Sequence, residues 1–146
     1  MRQRTQSREL ALQAIYRINF QDNNANVDIT ALLDELTKSS SSLLNNNLSP
    51  VVNYARELIE GYLQNQAKIN ETIKKSSANW EFQRIALIDR TILQIAAYEL
   101  LCRTDIPQAV SINEAIELAK KYGGQDSSNF INGILDKIAS ENKKSL

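Results

Sequence analysis

Between Ile85 and Leu101, apolar side chains fall at almost every angle when residues are plotted at about 100° each. Only a narrow strip around Arg90, Thr91 and Gln94 is polar. A helix that is apolar on all sides has to be covered by its neighbours. The spacing therefore predicts a central helix over 81–101, with the other segments packed around it. Two acids interrupt the pattern. Glu99 projects close to Ile88 and Ile92, and an internal ion pair or a helix-end contact would satisfy it. Asp89 lies between Ile85 and Ala96 on one side and Leu93 and Leu100 on the other. Either it has an internal partner, or the stripe emerges there to meet another protein.

The rest of the chain favours helices as well. Its 146 residues contain only four glycines and two prolines, too few turn formers for a β protein. The length suits one all-α domain made of two small packed helical subdomains, 1–79 and 80–139, with a tail over 140–146. Net charge is zero, but charge is unevenly placed. Residues 1–20 carry Arg2, Arg4, Arg8 and Arg17 against Glu9 alone, a net of +3; residues 21–60 carry six acids against Lys38 and Arg56, a net of −4. A basic amino end of this kind is the electrostatic signature to follow for a polyanionic partner. Cys102 is the only cysteine, so no disulfide can form within the chain, which fits a reducing cytoplasm. The amino end has no apolar signal core, and no run of about 18 apolar residues offers a membrane span.

Taken in order, residues 7–20 form an amphipathic helix with Leu10, Ala11, Leu12, Ala14, Ile15 and Ile18 on its apolar face. Continued backwards, that face meets Arg8 and Arg4; either the helix overshoots the core or the chain unwinds before about Ser7, and both leave a cationic arm in solvent. A short helix is expected over 28–38, then a mobile loop over 39–48, rich in serine and asparagine. Ser49-Pro50 reads as a helix start, and Val52, Ala55, Ile59, Tyr62, Ile69 and Ile73 extend one helix to about Lys75. Ile106-Pro107 breaks the chain after the central helix. Ser111 and Glu114 have capping-box spacing, with Ile112, Ala115, Ile116, Ala119 and Tyr122 as the apolar face and Gly123-Gly124 as the stop. Asp126 can cap a last helix that turns Phe130, Ile131, Ile134, Leu135 and Ile138 inward, with Gly133 implying close approach of another backbone.

The chain has no histidine, which removes histidine acid–base chemistry and histidine metal sites. One cysteine cannot build a thiolate zinc cluster, and no glycine-rich phosphate loop follows a strand. No carboxylates form a catalytic pair at short helical spacing. These features point away from an enzyme and imply no cofactor.

Three segments carry a resemblance. They are Asp105-Ile106-Pro107, the run from Ser111 through Asn113-Glu114-Ala115-Ile116-Glu117-Leu118-Ala119-Lys120 to Gly123, and Ser128 through Phe130-Ile131-Asn132-Gly133-Ile134-Leu135 to Lys137. Together with 92–100 and the amino-terminal 8–16, they resemble the NusB family over roughly 4–20 and 80–138. The resemblance implies an all-α fold and a transcription antitermination factor that binds boxA-type single-stranded RNA in ribosomal RNA transcripts. It implies as partners a NusE-type small-subunit ribosomal protein and the RNA polymerase elongation complex, with no membrane role. A NusB-like domain fused to an RNA methyltransferase is a further variant, but 146 residues are expected to leave no room for its catalytic domain.

Residue by residue, Arg4 and Arg8 fall on the family's arginine-rich RNA-binding segment, with Arg2 in the same arm. Thr5 and Gln6 stand where further arginines are common in the family, which weakens the expected RNA affinity. Tyr16, Asp126 and Phe130 match positions on the family's RNA-binding side, and Asp89 matches an acidic position used toward the ribosomal-protein partner. Read from the residues alone, Tyr16 and Phe130 are either stacking platforms for bases or core residues. A helical protein-interaction module, or a ribosome-biogenesis factor without antitermination activity, is the competing reading.

Overall fold

The computed structural model describes residues 2–21, 27–38, 48–77 and 81–142, and for Arg2, Leu48 and Ser49 the backbone alone. The Ser/Asn-rich loop (save Leu48), the Ser49 side chain, Ala78 to Trp80, and residues 143–146 of the expected tail lie outside the described residues. Within them are seven α-helices: α1 (Arg2–Gln21), α2 (Ile29–Thr37), α3 (Leu48–Gln64), α4 (Gln66–Ser76), α5 (Leu87–Cys102), α6 (Gln108–Tyr122) and α7 (Ser127–Glu141). A single 3₁₀ turn, Phe82–Arg84, precedes α5, and the described residues include no strand. The chain divides into two compact units, Met1–Gln64 and Asn65–Leu146. The sequence reading puts this boundary later, at 79/80. It also runs one helix through to Lys75, whereas the helix breaks at Asn65, whose ψ of 21° leaves the helical range.

In the first unit α1 packs on both α2 and α3, and α2 on α3. The α1 stripe from Leu10 to Ile18 is buried as expected. On α3 the buried series is Val51, Tyr54, Ala55, Leu58, Ile59 and Tyr62, a 3–4 spacing that runs one residue ahead of the stripe read from Val52. Asp28 caps α2, its carboxylate accepting from the Ala31 N–H at 3.0 Å.

In the second unit α5 is the central helix, in contact with α4, α6 and α7. Every residue from Thr91 to Leu100 is buried, which is what an all-round apolar helix requires. The polar strip is satisfied internally. The Gln94 amide donates to Asn70 on α4 at 3.0 Å, and the Thr91 hydroxyl donates to the Leu87 carbonyl one turn back at 2.7 Å. The helix begins at Leu87 and not at Glu81, because Ile85 and Ala86 are extended (ψ 131° and 139°). Arg90 holds the preceding 3₁₀ turn: its guanidinium lies 5.1 Å from the Phe82 ring centre and donates to the Phe82 carbonyl at 3.3 Å.

Three sequence expectations in this unit are overturned. Ser111 is not a helix cap, because α6 starts three residues earlier, just after Pro107; its buried hydroxyl donates instead to Glu99 Oε1 at 2.8 Å. Glu99 is thus met by a neutral hydroxyl. Tyr122 is 37% exposed although it shares the face of Ser111, Ala115 and Leu118, because it is the last residue of α6. Gly133 meets nothing within 4 Å of where a Cβ would stand, so no backbone approaches it.

Packing does demand a glycine at Gly123, where α6 ends. A Cβ there would stand 2.6 Å from Ser127 Cβ and 2.8 Å from the Ala119 carbonyl oxygen. Gly123→Ala is expected to cost about 1–2 kcal/mol through overpacking. Gly133→Ala is expected to gain about 0.5–1 kcal/mol from helix propensity. Urea denaturation of the two variants checks the opposite signs.

At the end of α5, burial pushes both the Tyr98 phenol and the Cys102 thiol above their ordinary pKa values of 10.0 and 9.0. Tyr98 is raised further by the negative charge of Cys102, Glu99 and Asp105, while Lys68 partly offsets the effect at Cys102. The folded state therefore favours both protonated forms. Their contribution to stability is intact below the ordinary values and is lost as pH rises through the higher folded ones. Urea midpoints measured from neutral pH to above 10.0 should fall, and Cys102→Ala should remove the earlier part of that fall.

Candidate functional site

The basic end of the first unit is helical from Arg2, so the helix continues and the chain does not unwind before Ser7. That needs explanation, since α1 has no acid in its first turn and arginines face the positive end of the helix dipole. Each such charge costs about 0.3–1 kcal/mol. Two contacts to α3 offset this. The buried Ser7 hydroxyl donates to the Val51 carbonyl at 2.7 Å, with the Gln3 carbonyl as its alternative at 2.9 Å. The ring of Tyr54 receives two cations, the Arg4 guanidinium carbon at 4.3 Å from its centre and that of Arg8 at 5.7 Å. Contacts of this kind contribute about 0.5–2 kcal/mol each.

The two arginines end up in different surroundings. Arg4 is exposed, while Arg8 is only 4% exposed. The expectation that Arg8 leaves the core is wrong: its position on the apolar line of α1 carries it in, and the Tyr54 face accepts its charge. The Arg2 side chain lies outside the described residues.

Further along α1, Tyr16 and Phe20 stack with ring centres 6.4 Å apart and planes 14° apart. They are 37% and 72% exposed, so Tyr16 is not a core residue. With Gln13, Arg17 and Leu36 they line an open cleft of about 460 Å³. Arg17 is paired there with Glu35 of α2.

The second unit brings Asp89, Asp126 and Phe130 together. They line one cleft of about 440 Å³ with Arg84, Ile85, Ala86, Ile88, Gly124 and Ser127. Asp89 sits in the first turn of α5, where the helix dipole favours a carboxylate. It is 9% exposed, and its Oδ1 is buried with no hydrogen-bond partner among the described residues. Phe130 is half-buried at the edge of the α7 core face, neither in the core nor fully presented. Asp126 occupies the N-cap position of α7 but makes no side-chain cap bond and is exposed. The turn is closed instead by the Ser127 hydroxyl, which accepts from the Gly124 N–H at 2.8 Å.

Three residues of these surfaces escaped the sequence reading. Tyr54 was legible from the 3–4 spacing of α3 once that stripe is started at Val51. Phe20 follows Tyr16 by one helical turn and could have been found that way. Arg84 carries no local signal, because the 3₁₀ turn that places it breaks what reads as continuous helix.

These features define a class first: an all-α binding protein with a cationic helix end and an acid-floored apolar cleft. The described residues hold no cluster of metal ligands, and none of their helices is long and apolar enough to cross a membrane. The model of the NusB family matches residues 5–140. The transcription antitermination protein NusB of Citrifermentans bemidjiense is 41% identical over 140 residues, covering 96% of each chain. The structure of T. maritima NusB superposes with a TM-score of 0.79 at 34% identity, covering 95% of this chain and 92% of that one. A crystal structure of antitermination factors NusB and NusE in complex with dsRNA holds a chain of the same fold, with a TM-score of 0.81, 22% identity and coverage of 97% and 98%. This chain belongs to the NusB family.

Proposed function

We propose that this chain is a non-enzymatic adaptor of transcription antitermination in the bacterial cytoplasm. It binds boxA-type single-stranded RNA together with a NusE-type ribosomal protein and joins the RNA polymerase elongation complex. The observation that carries the reading is the family match across 5–140, which takes in α1 from Thr5 onward, with Arg8 and Tyr16, and the cleft of the second unit; Arg2 and Arg4 stand just before it on the same helix. On this reading, Arg4 and Arg2 neutralise phosphates, a salt-sensitive contribution with little sequence information. Tyr16 supplies an exposed ring for base stacking, and Phe130 a half-buried one. Asp126 tempers affinity by repelling phosphate. Asp89 takes the protein partner: a buried carboxylate oxygen without a donor, floored in an apolar cleft, suits a cationic side chain with an aliphatic stem.

The test is a fluorescence-anisotropy titration of labelled boxA-type RNA against a scrambled RNA of equal length, at two salt concentrations, with and without a NusE-type protein. Sequence-selective binding that tightens with the partner is expected. Weak binding indifferent to sequence and partner would sink the reading and leave a protein-interaction module.

A further inference from the structure

We infer that Tyr54 is a positioning residue for RNA binding: its ring holds Arg4 in place for phosphate, and Arg8 is part of the support and not a contact. The inference rests on the reading that the basic end of α1 meets RNA. Arg4 and Arg8 are one helical turn apart, so a single ring on α3 can hold both. The two guanidinium carbons stand 4.3 and 5.7 Å from the Tyr54 ring centre. Tyr54 itself is 7% exposed and Arg8 4% exposed, so the ring is fixed by the core and Arg8 is closed off from solvent. The exposed Arg4 is left as the outer cation. A guanidinium carries its donors around its edge, so one lying over a ring keeps that edge for phosphate oxygens. Ordering this side chain before RNA arrives removes part of the entropy that binding would otherwise cost. Ser7, tied to Val51 between the two arginines, fixes the register in which both reach the same ring.

The experiment compares wild type, Tyr54→Phe, Tyr54→Leu, Arg4→Ala and the Arg4→Ala/Tyr54→Leu double variant, each as the full chain. Two readouts are used: affinity for a labelled boxA-type single-stranded RNA, and the Arg4 Nε–Hε resonance in the RNA-free protein. Tyr54→Phe keeps the ring face and should bind within about twofold of wild type; Tyr54→Leu keeps an apolar core but should lose about fivefold. The double variant should be no weaker than Arg4→Ala alone, because the two changes remove one contact. The Arg4 resonance should be shifted by the ring in wild type and Tyr54→Phe and return to an ordinary position in Tyr54→Leu. Circular dichroism confirms that each variant is folded. Wild-type affinity in Tyr54→Leu beside a weak Arg4→Ala, losses that simply multiply, or an unshifted Arg4 resonance would each overturn the inference. A shifted resonance in a wild-type chain that binds no RNA would overturn the functional reading. It would take Tyr54's RNA role with it, leaving the ring as a stability element.

Discussion

Replacing Asp89 by lysine is expected to weaken binding of a NusE-type protein by about two orders of magnitude, whereas Asp89→Leu should weaken it less and stabilise the free chain. Truncating one member of a buried charge pair at an interface typically costs about 2–5 kcal/mol, and a reversed charge adds repulsion. The stability side follows from the unpartnered Oδ1. A buried acceptor without a donor costs about 1–3 kcal/mol, of which the dipole at the start of α5 returns about 0.3–1 kcal/mol. Leucine would also extend an apolar lining already made of Ile85, Ala86, Ile88 and Phe130. The expected gain for Asp89→Leu is therefore about 1 kcal/mol in urea denaturation, alongside weaker partner binding in calorimetric titration. Opposite movement of the two quantities marks a residue kept for recognition at the expense of the fold. Loss of stability in Asp89→Leu would instead make the carboxylate a structural group.

How far the sequence could be read depends on the range of the forces involved. The burial of α5 was legible because all-round apolarity has only one solution. The stripe of α1 was legible from local spacing. Boundaries set by backbone conformation were not: Asn65 breaks a continuous apolar pattern, and Ile85 and Ala86 are extended inside one. Side chains whose environment comes from another helix were the hardest. Arg8 looks like a solvent cation until Tyr54 of α3 is placed over it, and Ser111 looks like a cap until Glu99 of α5 is found opposite. Of the candidate site, Asp89 stood out by residue type, as a carboxylate in an apolar stripe, whereas Asp126 and Phe130 were singled out for it only through the family resemblance. That they line one cleft follows only from packing α7 on α5.

The Ser111–Glu99 contact carries the second large expected effect, and its size depends on which partner is removed. Both side chains are 1% exposed and the hydrogen bond spans α5 and α6 at 2.8 Å. Ser111→Ala takes a donor from a buried carboxylate oxygen and should cost about 1.5–3 kcal/mol, the range for hydrogen bonds to charged groups. Ser111→Val also forces an extra methyl into a filled helix interface and should cost more, by about another 1 kcal/mol. Glu99→Gln keeps an acceptor for the Ser111 hydroxyl and should lose less than Ser111→Val. The pair Ser111→Ala and Glu99→Leu should recover part of the loss, because removing both polar partners leaves neither stranded. Urea denaturation of Ser111→Ala, Glu99→Leu and the double variant against wild type forms a complete cycle. A double variant whose loss equals the sum of the singles would mean that Glu99 is held by its other contacts, and that Ser111 is small only because α6 packs closely there. A recovered double variant would identify the pair as the lock between the central helix and α6.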